Sequence, residues 1–82
     1  MKRDSDVTIA FTHDEALVLY DWLAREDQKG IRTDHQAEQD VLWRLEGQLE
    51  RVLVEPLAAN YSEEVRAARA RVVARGIGGE ED

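Results

Sequence analysis

The sequence predicts a mainly α-helical single domain, 1–82, in which one N-terminal β-strand precedes three α-helices. The order is β-α-α-α, with the strand paired in a dimer. Three observations carry this prediction. Residues 7–11 alternate with a period of two, three later segments carry apolar residues at helical spacing, and caps, glycines and one proline separate them. Order is expected over about 6–75, with residues 1–5 frayed and 76–82 forming a flexible acidic tail.

The strand prediction covers Asp6 to Thr12. Val7, Ile9 and Phe11 fall on one face, Thr8 and Ala10 on the other, and β-branched and aromatic residues dominate. Thr12 then opens a capping box with Glu15. Asp14 and Glu15 stand in the first turn, where the helix dipole favours negative charge. The first helix is expected from His13 to about Gln28, stopping before Gly30. At about 100° per residue, Ala16, Leu19, Tyr20, Leu23 and Asp27 share one direction, flanked by Leu17 and Ala24. Asp14, Asp21 and Arg25 lie opposite, and Val18 and Trp22 sit together to one side.

The second helix is expected from Gln36 to Val54, capped by Thr33 or Asp34. Its core stripe is Ala37, Val41, Leu42, Leu45, Leu49, Val52 and Leu53. Pro56 disfavours helical geometry at Glu55 and ends or kinks the helix there. The third helix starts at a cap on Asn60 or Ser62 and runs to about Arg75, with Gly76 as its stop. Its apolar side is thin: Val65, Ala68, Val72 and Val73.

Two features point to a partner. A lone strand cannot satisfy its own backbone groups, because those bonds run between strands. Two copies pairing Val7, Ile9 and Phe11 across a two-fold axis would form an isologous dimer. The alternatives are an internal mate at Arg51 to Glu55, an extended arm over the helices, or a strand added to another protein's sheet edge.

The second feature is the far side of the second helix. Trp43 lies about 160° from Leu45 by the helical count, so one flat packing surface cannot cover both. Gly47 lies one turn further on, where a mid-helix glycine costs about 1 kcal/mol relative to alanine. Either the third helix wraps around and covers Trp43 and Gly47, or a partner docks there. Trp43, Gly47 and Val54 are the expected docking residues, with Asp40, Glu46 and Glu50 supplying charge. Val18 and Trp22 form a second docking patch.

Composition narrows the function classes. Eighteen acidic residues against eleven basic ones give a net charge of −7, which disfavours binding a phosphate backbone. That acidity serves solubility or the pairing of a basic protein partner. Arg66 and Arg69 project one way from the third helix and Arg71 and Arg75 the other, so they form no nucleic-acid stripe. Cysteine is absent, which removes disulfides and thiolate metal sites. His13 and His35 both stand at helix starts, without HExxH or zinc-finger spacing, and read as surface residues. Ser5 and Ser62 lack a nucleophile-elbow context, and the GIGG stretch at 76–79 lacks the strand and helix of a phosphate cradle. No catalytic residue, cofactor or metal site is therefore expected, and the chain is not expected to be an enzyme.

The longest apolar run, Ala16 to Tyr20, is too short to cross a bilayer. With no apolar run behind the basic N-terminus, a cytoplasmic location is expected. Nine of the eleven basic residues are arginine, the bias of a GC-rich bacterial genome. The stretches DEALVLYDWL and LVEPLAANY resemble short uncharacterised bacterial proteins of similar length. That likeness spans most of residues 7 to 75 and implies no activity.

The functional expectation is a non-enzymatic, acidic protein–protein interaction module, in its most concrete form an immunity- or antitoxin-like protein covering a basic partner. The alternatives are a structural or regulatory homodimer and a small accessory subunit of a larger enzyme.

Overall fold

The computed structural model describes residues 6–76. Among these residues the fold has three α-helices, α1 (His13–Lys29), α2 (Gln36–Val52) and α3 (Tyr61–Arg75), with a 3-10 turn (Glu55–Leu57) between α2 and α3. The fraying expected over residues 1–5 and the tail beyond Gly76 lie outside the described residues.

The strand expected over residues 6–12 is not formed. These residues carry no regular secondary structure, and no strand occurs among the described residues. The backbone groups of residues 7–11 make no hydrogen bond among the described residues, and Leu53–Val54 does not pair with them. A ladder needs a neighbouring strand, and the described residues supply none.

α1 starts as its capping box requires. The Glu15 backbone N–H donates to the Thr12 hydroxyl at 3.1 Å, and the Thr12 N–H donates to Glu15 Oε1 at 2.8 Å. Gly30 closes the helix at φ +83°, a conformation favouring glycine, and its N–H donates to the Asp27 carbonyl. α2 is capped by His35 rather than Thr33 or Asp34, since His35 Nδ1 accepts from the Ala37 N–H at 2.9 Å. It also ends two residues early: Leu53 is already extended at φ −96° and ψ 139°. Leaving the helix there turns the Leu53 side chain into the core ahead of Pro56. Ser62 lies inside α3 and Asn60 is its cap position.

The core is small. Ala16, Leu17, Leu23, Leu49, Leu53, Val65 and Ala68 are buried, with Val18, Leu19, Tyr20, Leu42, Leu45 and Tyr61 packed partly against them. α1 is the central element: α2 and α3 both pack on it and barely touch each other. Both neighbours run antiparallel to α1. Asp27, Tyr20 and His13 of α1 meet Trp43, Glu46 and Glu50, and Glu55 in turn, while Asp14 and Asp21 meet Arg71 and Tyr61.

This arrangement changes two expected faces. Asp21, placed on the solvent side by the helical count, is buried at 8% exposure because α3 packs over that side of α1. Val41 and Val52, placed in the core stripe of α2, remain 65% and 69% exposed because α1 covers only part of that stripe. On α3, Val65 and Ala68 enter the core while Val73 stays in solvent. Among the described residues, no helix is long and apolar enough to cross a membrane.

Candidate functional site

The far side of α2 begins with its sequence. Asp40, Trp43, Gly47 and Glu50 lie within about 80° of one another by the helical count. Glu46 borders this strip on the side turned toward α1. α3 does not cover it, because α3 packs on the other flank of α1. Trp43 is accordingly 51% exposed. Its indole N–H donates to Asp27 Oδ1 at 3.1 Å, which ties the ring to the end of α1. A side chain built at Gly47 would meet nothing within 4 Å, so no neighbour within the chain requires glycine there. The space beside the ring is open.

The electrostatics of this strip are one-sided. Burial pushes the Glu46 carboxyl above its ordinary pKa, and the charges of Asp27 and Glu50 push the same way. Burial also raises the Tyr20 hydroxyl, helped by Glu50 and Glu46. Among the described residues, no lysine or arginine reaches salt-bridge distance of Asp27, Glu46 or Glu50. Asp40 accepts a hydrogen bond from Gln36 Nε2 at 2.8 Å. Arg44 and Arg51 border the strip on the flank turned away from α1, next to Val41 and Val52.

The remaining expected residues fall elsewhere. Val54 lies past the end of α2, exposed, so the helical repeat does not bring it to Trp43. Val18 packs partly against the core, while Trp22 beside it is exposed. Trp22 points about 140° away from Asp27 around α1, so the two indoles make separate patches. Val7, Ile9 and Phe11 are all exposed, Ile9 to 70%.

The polar network between α1 and α3 was hidden from the sequence. Asp21 accepts from the Tyr61 hydroxyl at 2.8 Å, from Arg25 Nε at 2.8 Å and from an Arg69 guanidinium nitrogen at 3.0 Å. Burial works to raise the Asp21 pKa, but these bonds and the two guanidinium charges bring it below the ordinary value. Arg71 grips Asp14 with two bonds of 2.9 Å and lowers that carboxyl's pKa as well. The i, i+7 spacing of Asp14 and Asp21, set against arginines in a thinly apolar helix, is the signal that could have revealed this seam. His13 Nε2 lies 2.6 Å from Glu55 Oε2 and holds that carboxyl below its usual range, while Glu55 Oε1 is enclosed without a partner among the described residues. The contact pins the start of α1 to the turn before α3.

A cavity of about 290 Å³ opens between Tyr20, Tyr61, Pro56 and Gln28. Its charged residues, Asp21 and Arg25, already satisfy each other. Among the described residues, no group of three His, Asp or Glu side chains is placed to hold a metal ion. No protein-family model, curated protein or solved structure matches the chain.

Proposed function

We propose that this chain is a non-enzymatic protein–protein interaction module, working by docking surface that its own fold leaves uncovered. One observation carries the reading. Among the described residues, ten large hydrophobic side chains are exposed, whereas seven hydrophobic residues are buried. Scattered apolar residues are ordinary on a protein surface. Here they include two tryptophans, the residue type most enriched at interface centres. Purification of the tagged chain from its own cells, followed by sedimentation and mass spectrometry of stoichiometric components, tests the reading. An assembly heavier than the 9.4 kDa protomer is expected. A lone 9.4 kDa species without a stoichiometric companion overturns it.

The second reading, a homodimer joined through its N-terminal segments, is favoured by a specific pattern. Val7, Ile9 and Phe11 alternate along an arm whose backbone donors and acceptors are unpaired among the described residues. Antiparallel pairing of two such arms would satisfy both sets of groups.

A further inference from the structure

We infer that the Trp43 strip of α2 is the receptor for a cationic segment of another protein, with one Arg or Lys side chain lying across the indole face. The inference rests on the interaction-module reading and names the chemistry of the partner.

The ring is prepared for such a contact. Its N–H is held by Asp27, so one face orientation is fixed before binding, and half of its surface is open to solvent. A cation placed over a tryptophan face is attracted by the ring's quadrupole. A large side chain at position 47 would fill the space beside the ring. Gly47 leaves that space empty, which permits close approach of a partner backbone.

Charge selects the occupant. Asp27 holds the indole N–H, and Glu46 and Glu50 follow Trp43 along α2 on the side of Tyr20. Among the described residues none of the three has a salt-bridging cation, and Asp40 adds a carboxylate one turn before the ring. Arg44 and Arg51 offset part of this charge from the outer flank, leaving four carboxylates against two guanidiniums. An acidic or neutral apolar partner would add to the repulsion or leave it unrelieved. A basic one relieves it, in keeping with a net charge of −7.

The test uses a peptide of four Arg-Ala-Ala repeats and its Glu-Ala-Ala counterpart, titrated into the full chain by calorimetry. A Trp22→Phe variant, in which Trp43 is the sole indole, reports the same titration by fluorescence. The basic peptide is expected to bind with a dissociation constant below about 100 μM at low salt. About tenfold weakening is expected near 0.5 M salt. The acidic peptide should not bind. Glu46→Gln with Glu50→Gln, and separately Trp43→Leu, should each weaken binding about tenfold. Asp6→Asn with Glu63→Gln removes the same charge away from the strip and should change binding less than about twofold.

Equal loss in the two double carboxylate variants would mean general attraction to an acidic protein and overturn the site. So would unchanged Trp43 emission on binding. The Trp43 emission of the Trp22→Phe variant needs no mutation of the strip, so a strip variant that fails to fold leaves the test decisive. A chain that self-associates but ignores the basic peptide overturns the Trp43 receptor and leaves the interaction-module reading standing. A lone protomer in its own cells that still binds the peptide overturns that reading instead.

Discussion

At the scale of single residues, Asp21 is the most consequential side chain that is not a hydrocarbon. It is nearly buried and accepts from one hydroxyl and two guanidinium groups. Replacing it with alanine strands the Tyr61 hydroxyl and leaves two arginines without their acceptor. The expected cost is about 2 kcal/mol in urea unfolding, the larger share from groups left unpaired. Tyr61→Phe removes a single bond and should cost about 1 kcal/mol. The same carboxylates set the acid limb of stability. Asp14, Asp21 and Glu55 all have folded pKa values below their ordinary ones. Their contribution is complete above the unfolded carboxylate values, near about pH 4, and is lost as pH falls through the lower folded values. Glu46 carries the opposite sign, since its folded pKa is raised. Its contribution is lost as pH rises through the folded value, so Glu46→Gln should raise stability slightly at pH 7. A urea series from pH 2 to 8 on the parent and the Glu46 variant would show both trends.

At the scale of the elements, local signals and tertiary cover were legible to different degrees. The capping box and Gly30 fixed the limits of α1 because both act within a few residues of the chain. α2 ended at Val52 rather than Val54 because Leu53 leaves the helix to enter the core, and no local signal encodes that. Val41 and Val52 satisfy the helical period of a core stripe, but period alone cannot say how much of a stripe a single neighbour covers. Asp21 was hidden for the converse reason: a charged residue on a polar face reads as solvated until α3 is known to pack there. Gly47 offers a direct check on α2 itself. It lies in the helix interior with an ordinary φ, and a methyl group there would meet nothing. Gly47→Ala should therefore stabilise the protomer by about 0.5–1 kcal/mol through helix propensity and lower unfolded-state entropy. The matching change at Gly30 should do the reverse, because φ +83° strains any side chain. Thermal melts of the two variants should move in opposite directions by a few degrees.

At the scale of the whole molecule, a central helix with a neighbour on each flank leaves broad apolar area in water. Stable architectures bury such faces between packed layers, and a chain of this size has little core to spare. The N-terminal arm gives the sharpest test of whether a second copy supplies what is missing. Its residues make no backbone hydrogen bond within the described chain, so the protomer's helices do not depend on them. Ile9→Pro removes one N–H and fixes one φ in a segment that contributes nothing to the core. In an isolated protomer the substitution should leave helical circular dichroism and melting temperature unchanged. In a strand-paired dimer it removes a ladder bond and disrupts its neighbours. The dimer should then dissociate at concentrations where the parent remains paired, and melting should lose its dependence on protein concentration. Sedimentation equilibrium of the parent and the proline variant separates the cases. A dimeric parent whose mass is unchanged by Ile9→Pro places the self-contact on the helices instead, where the exposed row of Val41 and Val52 is the surface to mutate next.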